Sequence, residues 1–337
     1  MKRFHLFFAV AVMALLAACQ GKDSERKGCA MYYWSTTFQL DSTKLQFMEE
    51  HHIDRLYVRY FDVVIDDRGE VMPNASIRFP RTSHSAPLTP HLSIIPTIFI
   101  VNDVMRRDVS GLAERILKRI LQMNETHGIA DVKEIQIDCD WSEQTHKRFF
   151  AFMEELHAMA KEQGLQLSAT IRLHQLAQKP PSCDHGVLMF YNTGNLSQYE
   201  DAHPILDMNV AGPYLRHLKN YDLPLSTAYP IFGWDIVFRP LTRYENSAGT
   251  NLSPLTPHPS PLKEYHYIGI QHFKDEIPLM PGDTIVRRQP TIEEIMEARQ
   301  AVECLRPDAN HEVILFDMSN PNITRFKNND YEKIFGH

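Results

Sequence analysis

Short apolar runs alternate with helical patterns along most of the chain beyond position 30. Strands are predicted by runs rich in β-branched and aromatic residues, at 30–34, 55–61, 94–101, 134–140, 167–172, 186–191, 225–229 and 312–317. Helices are predicted where apolar residues recur at helical spacing, at 42–51, 108–127, 145–163 and 291–305. This alternation predicts an α/β fold, a (β/α)8 barrel of the TIM type. No glycine-rich phosphate loop follows the first strand, which disfavours the alternative of a doubly wound open sheet.

One long segment interrupts the alternation between the seventh and eighth predicted strands. Residues 235–290 are rich in proline, tyrosine and histidine and contain a strand-like run at 265–270. We expect this block to be an insertion on the active face of the barrel, in the form of a hairpin lid. A second polar stretch, at 66–90, predicts a long loop. The barrel with its insertion is predicted to occupy residues 30–337, a length that such barrels commonly reach.

The N-terminus has the three parts of an export signal. Lys2 and Arg3 supply positive charge, and residues 7–16 form an apolar stretch that is too short to span a bilayer. The following Leu-Ala-Ala-Cys, at 16–19, resembles the lipobox of bacterial lipoproteins. The resemblance implies that residues 1–18 are a signal peptide and that Cys19 is lipidated, as by palmitate. The alternative is an ordinary secretory signal with a chance cysteine.

The polar residues 19–29 are then expected to form a flexible tether between the lipid and the barrel. The resemblance implies a place in the bacterial cell envelope, at the outer membrane on its periplasmic or surface face, with the lipid as the only membrane contact. The net charge of −7 disfavours nucleic acid as a partner, because phosphate binding requires a basic surface. Nothing in the sequence fixes the oligomeric state.

Neither the cysteines nor the histidines form a recognisable metal motif. The spacing of Cys29, Cys139, Cys183 and Cys304 matches no zinc site, and the 17 histidines are mostly isolated. No metal and no cofactor is therefore predicted. Cys139 falls within a predicted strand, so we expect at least some of these cysteines to be free thiols, although an even number in an exported protein permits disulfides.

The fourth predicted strand carries the most informative polar residues. Because side chains alternate along a strand, Gln136, Asp138 and Asp140 share one face, and Trp141 and Glu143 follow in the next loop. Three successive polar side chains are costly to bury in an apolar core. They are better explained by a face that lines the barrel mouth, where the functional residues of such barrels lie.

The run from Ile137 to Glu143 resembles the fourth-strand signature of chitinase-type glycoside hydrolases, which has aspartates two residues apart and a catalytic glutamate two residues after the last. Residues 189–192, Met-Phe-Tyr-Asn, are similar to the Met-x-Tyr-Asp of that family's sixth strand. Two positions differ, because Ser142 stands at the catalytic glutamate and Asn192 at the sixth-strand aspartate. The chain is similar to bacterial lipoproteins with a chitinase-type TIM barrel, which implies action on a carbohydrate substrate or ligand.

Glycoside hydrolysis normally uses two carboxyl groups, one as an acid and one as a base or nucleophile. We predict Asp138, Asp140 and Glu143 as catalytic residues, with Asp140 or Glu143 as the acid and Asp138 in support. Other residues at strand ends are predicted to orient the sugar or to stack on it, since aromatic rings offer large flat surfaces. They are Trp34, Arg59, Trp141, Arg172, Tyr191, Asn192, Tyr229, Trp234 and Asp317.

Two alternatives remain open at this level. The displaced glutamate favours a non-catalytic barrel that binds a glycan or a partner protein. Asp138 and Asp140 are also compatible with a structural ion-pair network that includes Arg59 and Arg172. The two cases differ in geometry. An enzyme requires a carboxyl pair that faces an open cleft, whereas a structural network buries both aspartates against the arginines.

Overall fold

The computed structural model describes residues 28–80, 92–240, 265–271 and 276–336. The predicted signal peptide, Cys19, nearly all of the tether and parts of the 235–290 insertion lie outside the described residues. The boundaries of these segments therefore stay predictions. None of the described helices combines the length and the apolar content that crossing a bilayer requires.

Twelve strands are present in the described residues. They are β1 (Gly28–Tyr33), β2 (Arg55–Ile65), β3 (Val71–Asn74), β4 (Ser93–Ile100), β5 (Glu134–Cys139), β6 (Gln166–Arg172), β7 (His185–Met189), β8 (Leu225–Pro230), β9 (Trp234–Pro240), β10 (Tyr265–Ile270), β11 (Thr284–Arg288) and β12 (Glu312–Phe316). Eight of these, β1, β2, β4 to β8 and β12, pair in parallel and in that order, and β12 pairs with β1 to close the barrel. The predicted (β/α)8 barrel is confirmed, since each of the eight predicted strands overlaps one barrel strand.

Five of the described α-helices lie between barrel strands in the chain, and two follow β12. They are α1 (Ser42–Glu50), α2 (Leu112–His127), α3 (His146–Glu162), α4 (Met208–Leu215), α5 (Ile292–Leu305), α6 (Asn320–Ile323) and α7 (Asn328–Phe335). The helix α5 begins with a capping box, in which the Thr291 hydroxyl accepts from the Glu294 N–H and the Glu294 carboxylate accepts from the Thr291 N–H. Between β6 and β7 the chain forms a short 3-10 helix, Leu173–Ala177, in place of a longer α-helix.

Two connections differ from the sequence expectation. The predicted loop at 66–90 contains β3, which forms an antiparallel hairpin with an extended β2. Asp66 closes the turn by accepting the backbone N–H groups of Arg68 and Glu70. Pro73 argues against a strand, because proline lacks the backbone N–H that strand pairing uses. β3 lies at the edge of the sheet, where a missing N–H is tolerated.

The insertion contains more regular structure than the single predicted strand at 265–270. Strands β9, β10 and β11 form a separate antiparallel sheet in the order β10-β9-β11. Arg239 on β9 binds both carboxylate oxygens of Asp283, which precedes β11, at 2.8 and 2.9 Å. This sheet connects β8 to α5, so the insertion lies between the seventh and eighth barrel strands as expected.

The barrel strands separate two apolar layers. The interior holds a small cluster of buried side chains that includes Tyr32, Tyr57, Met189 and Ile314. The outward side chains form a larger cluster with the helices. The thiols of Cys139, Cys183 and Cys304 are free, in agreement with the expectation that some would be.

Candidate active site

Polar side chains of β5 do point into the barrel. The Gln136 side chain is fully buried there and its Oε1 accepts from the Tyr32 hydroxyl at 2.8 Å. Two residues further along β5, Asp138 is 3% exposed, and its Oδ1 accepts a hydrogen bond from the Thr170 hydroxyl at 2.7 Å. The described side-chain hydrogen bonds of Gln136 and Asp138 are all made to other barrel strands. The strand register therefore fixes the position of Asp138 near the C-terminal mouth.

Arg172, at the end of β6, joins the two aspartates of the predicted signature. Its Nη2 donates to Asp138 Oδ1 at 3.1 Å and its Nε donates to Asp140 Oδ1. The Asp138 side chain is 4% exposed, whereas that of Asp140 is 53% exposed. Burial raises the pKa of Asp138 above its usual value, and the nearby charge of Asp140 adds to this, while Arg172 and Thr170 oppose it. The two carboxyl groups therefore stand in different environments although they share one guanidinium.

Arg59 forms a second unit on the other side of the mouth. Its Nε donates to Asp62 Oδ1 at 2.7 Å, and its guanidinium carbon lies 5.4 Å from the centre of the Trp34 ring. The guanidinium carbon of Arg172 lies 5.8 Å from the centre of the Tyr191 ring in a similar way. Of the two arginines that the sequence suggested as partners of Asp138 and Asp140, only Arg172 forms ion pairs with them. Arg59 pairs with Asp62 instead. Asp140 remains open to solvent.

Five aromatic residues, named here the aromatic rim, surround the mouth. Phe316, at the end of β12, lies at their centre, with its ring 5.4 Å from that of Trp34, 5.2 Å from Tyr191 and 5.8 Å from Phe232. Trp234 joins the rim through Phe232 at 4.8 Å. All of these residues except Phe232 are partly exposed. The rim offers flat apolar surfaces beside the exposed carboxylate of Asp140.

Two residues predicted to contact sugar are buried elsewhere. Trp141 is fully buried beside α3, where its ring packs against those of Phe149 and Phe150 at 6.0 and 5.2 Å. Tyr229 is fully buried in the outer layer, and its hydroxyl donates to Asn310 Oδ1 at 2.9 Å. The expectation that they bind sugar is corrected, because neither ring offers a surface to a ligand.

The remaining predicted residues lie at the C-terminal end of the barrel without joining the Arg172 cluster. Glu143 is exposed, and its carboxylate forms no hydrogen bond or ion pair with any residue that the structure describes. Asn192 is exposed with a φ of 54°, a left-handed conformation that asparagine tolerates. Asp317 follows Phe316, and burial raises the pKa of its carboxyl group, against the hydrogen bond from Asn322.

Ser142 occupies a small hydroxyl network at the start of α3. Its Oγ lies 3.3 Å from Thr145 Oγ1, which donates to Asn102 Oδ1 at 2.6 Å. This network fills the position at which the chitinase-type signature has its glutamate. In the described part of the chain, no three His, Cys, Asp or Glu side chains gather closely enough to share a metal ion.

Sequence reasoning missed three residues that complete the site. Thr170 and Phe316 face the interior of the barrel, and Phe232 is the second residue after β8. Alternation along β12 places Phe316 on the same face as Ile314, so a two-residue period was the available signal for it. No comparable signal existed for Phe232, since its position depends on the path of the chain after β8.

Comparison with known proteins rests on solved structures. No protein-family model matches the chain, and no curated protein matches it in sequence. The spore cortex-lytic enzyme SleL of Bacillus cereus superposes with a TM-score of 0.51 at 13% identity, covering 88% of this chain and 72% of that one. SleL of Bacillus megaterium gives 0.52 at 12%, covering 92% and 75%. A chitinase of Chromobacterium violaceum gives 0.53 at 9%, covering 92% and 99%.

The chain has the fold of a chitinase-like (β/α)8 barrel. At such low identity the likeness concerns the fold and does not extend to individual residues. Within the chitinase-like barrel, the Asp138–Arg172–Asp140 cluster and the aromatic rim both lie at the C-terminal mouth, which is where barrels of this architecture hold their functional groups.

Proposed function

We propose that this protein is a lipid-anchored enzyme that acts on glycans outside the cytoplasm by carboxylate acid–base chemistry. The observation that carries the proposal is the placement of Asp138, Arg172 and Asp140 beside a partly exposed aromatic rim. Paired carboxyl groups with different environments are what general acid–base catalysis requires. The similar solved structures include a chitinase and two spore cortex-lytic enzymes, which supports a glycan as the class of substrate.

In this proposal a sugar ring lies on the rings of Trp34, Tyr191 and Phe316, where its C–H groups contact the aromatic faces. The exposed carboxylate of Asp140 faces the sugar, and Arg172 holds this carboxylate in position. The guanidinium of Arg172 is in turn held by the carboxylate of Asp138, which is buried inside the barrel.

The proton donor is proposed to be Glu143, which follows Asp140 in the same loop and has no competing partner among the described residues. The glycosidic C–O bond breaks, and the leaving oxygen takes the carboxyl proton. A water molecule adds its hydroxyl to the sugar, and its remaining proton goes to the carboxylate of Asp140, which is proposed to act as the base.

A second candidate function is glycan binding without hydrolysis. It is favoured by Ser142, because a serine hydroxyl in a network with Thr145 is a poor proton donor at the position of the family's glutamate. The aromatic rim would serve a binding protein equally well. The two functions share a ligand class and differ only in turnover.

The test is a hydrolysis and binding screen of the purified full-length protein against a glycan panel, with Asp140→Asn and Glu143→Gln beside the wild type. Each substitution is expected to lower turnover at least about 100-fold while glycan affinity stays within about threefold. Asp67→Asn, at an exposed position in the β2–β3 turn, is the control and should leave both unchanged. Full turnover in Asp140→Asn would contradict the assignment, and binding without any turnover would establish the second function.

The proposed anchor at Cys19 is tested independently of the chemistry. Cells that express Cys19→Ala are expected to lose incorporation of a labelled fatty acid into this protein, because the acylated thiol is gone. The protein should shift from the membrane fraction to the soluble fraction. Labelling or membrane retention equal to that of the wild type would refute the lipoprotein assignment while leaving the barrel site untouched.

A further inference from the structure

A cavity of about 460 Å³ opens between the start of α3, the helix that follows β5, and the segment that follows the short 3-10 helix after β6. These strands also carry the Asp138–Arg172–Asp140 cluster, so the cavity lies on the same end of the barrel as the mouth. Five side chains line it: His146, Lys147, Phe150, Gln178 and Lys179. None of the proposed catalytic residues is among them.

The two walls of the cavity are held together by a buried glutamine. Gln175 Nε2 donates to the Trp141 carbonyl oxygen at 3.0 Å, and Gln175 Oε1 accepts the backbone N–H of Arg172 at 2.8 Å. The Phe150 ring is fixed edge-on against Trp141 at 5.2 Å and against His146 at 5.9 Å. The cavity therefore presents a partly exposed aromatic residue whose ring is packed on two sides.

The charge of the cavity contrasts with that of the whole protein. Lys147 and Lys179 are exposed, and neither side-chain ammonium group forms a hydrogen bond or ion pair with another described residue. The side-chain amide of Gln178 is equally uncommitted. No carboxylate lines the cavity. Two uncompensated ammonium groups thus stand beside an aromatic ring on a chain whose net charge is −7.

We propose that this cavity is an outer subsite for an acidic sugar, one that carries a carboxylate or a sulfate. The sugar ring packs against Phe150, its anionic group lies between Lys147 and Lys179, and a hydroxyl meets Gln178. The proposal rests on the proposed glycan function, and it adds that the glycan extends from Asp140 at the mouth to this cavity.

The mouth itself is a poor place for the anionic group. The two arginines of the units described above are already paired with aspartates, Arg59 with Asp62 and Arg172 with Asp138 and Asp140. An anion there would compete with carboxylates that are fixed in place. The lysines of the cavity have no such competitor, and the presence of Phe150 favours a sugar over a bare inorganic anion.

The test measures the affinity of the full-length protein for three oligosaccharides of equal length, one neutral, one containing a uronic acid and one sulfated. The acidic ligands should bind more tightly, and added salt should reduce this preference. Lys147→Gln/Lys179→Gln should weaken binding of the acidic ligands about tenfold and change neutral binding less than about twofold. Tighter binding of either the uronic acid ligand or the sulfated ligand than of the neutral one supports the proposal. Which of the two binds better shows which acidic group the subsite prefers.

The matched control is Lys118→Gln/Lys161→Gln, which removes the same charge from exposed positions on α2 and α3 outside the cavity. An equal loss in this control, or an equal loss of neutral binding, would overturn the subsite. Phe150→Leu should weaken all three ligands by several fold. Turnover of neutral glycans that depends on Asp140, with no acidic preference, would refute the subsite alone. Lysine-dependent acidic binding without turnover would refute the enzyme and keep the subsite.

Discussion

Replacing Arg172 by methionine is expected to lower the free energy of unfolding by about 3–5 kcal/mol at neutral pH. Arg172 is the partner that compensates the carboxylate of Asp138, whose side chain is 4% exposed. Without the guanidinium, the Asp138 carboxylate keeps the hydrogen bond from Thr170 at 2.7 Å as its one remaining side-chain bond to a described residue. Removing the counter-charge of a buried carboxylate is one of the few single substitutions that produce so large a loss of stability.

The destabilisation should depend on pH. The pKa of Asp138 is already raised by burial, and removing Arg172 takes away the contact that lowers it. A carboxyl group whose folded pKa lies above its unfolded value favours the folded state when it is protonated. This contribution is complete below the unfolded pKa of about 3.9, and it is lost as the pH rises through the folded pKa. The difference between variant and wild type should therefore be smaller near pH 4 than at neutral pH.

Urea unfolding at several pH values measures this difference. Asp138→Asn in the Arg172→Met background is the matched variant, since it removes the buried charge and leaves an oxygen that accepts from Thr170. It should recover about 1–2 kcal/mol at neutral pH. If Arg172→Met is as stable as the wild type at neutral pH, or if asparagine restores no stability, Arg172 does not compensate a buried charge on Asp138.

Replacing Arg55 by methionine is expected to lower the free energy of unfolding by about 2–4 kcal/mol, the smaller range reflecting a side chain that is a third exposed. Arg55 lies at the N-terminal end of the barrel, opposite the mouth. Its Nη2 donates to Glu134 at 2.7 Å and its Nη1 donates to Glu312 at 2.5 Å. The two carboxylates are 4% and 11% exposed, so both lose their shared counter-charge in the variant.

The pH dependence at this end has the same sign. Burial raises the pKa of Glu134, while His185 and Arg55 oppose the shift. The contribution of the protonated Glu134 carboxyl to the free energy of unfolding is fully present below its unfolded pKa of about 4.3. It is lost as the pH rises through the pKa of Glu134 in the folded protein. Glu134→Gln in the Arg55→Met background should restore about 1–2 kcal/mol, because one of two facing carboxylates disappears.

Comparison of the two ends separates stability from function. Thermal and urea unfolding should show a loss for both arginine variants. Glycan turnover or binding, measured where each variant is still folded, should fall for Arg172→Met and stay within about twofold of wild type for Arg55→Met, because functional groups of such barrels lie at the C-terminal face. Loss of glycan activity in a folded Arg55→Met protein would contradict the placement of the site at the mouth.

The order of strands and helices followed from local sequence periods. The predicted strand at 134–140 corresponds to β5, and the predicted helix at 145–163 corresponds to α3, which runs from His146 to Glu162. Such segments are periodic over enough residues to identify an element without knowledge of its neighbours. The hairpin strand β3 and the inserted strands β9 and β11 were missed. β3 and β11 are short edge strands that carry polar residues or proline, and β9 lies at the centre of a sheet whose other strands are distant in sequence.

The candidate site was only partly predictable. Alternation along β5 correctly grouped Gln136 with Asp138, since a two-residue period is a local property. It gave no means of telling that Tyr229 points outward to Asn310 or that Trp141 packs against α3. An aromatic residue at a strand end is compatible with either side of the barrel wall, and the choice depends on what packs there.

The alternation of strands and helices and the polar face of β5 can be predicted from the sequence, because both depend on the spacing of residues close together in the chain. Which charged side chains meet depends on the closed barrel. Parallel pairing sets Gln136 level with Ser168, and the same register brings Asp138 to Thr170 and Asp140 to Arg172. This register comes from closing the whole barrel, and it turned two aspartates and a distant arginine into a single cluster at the mouth.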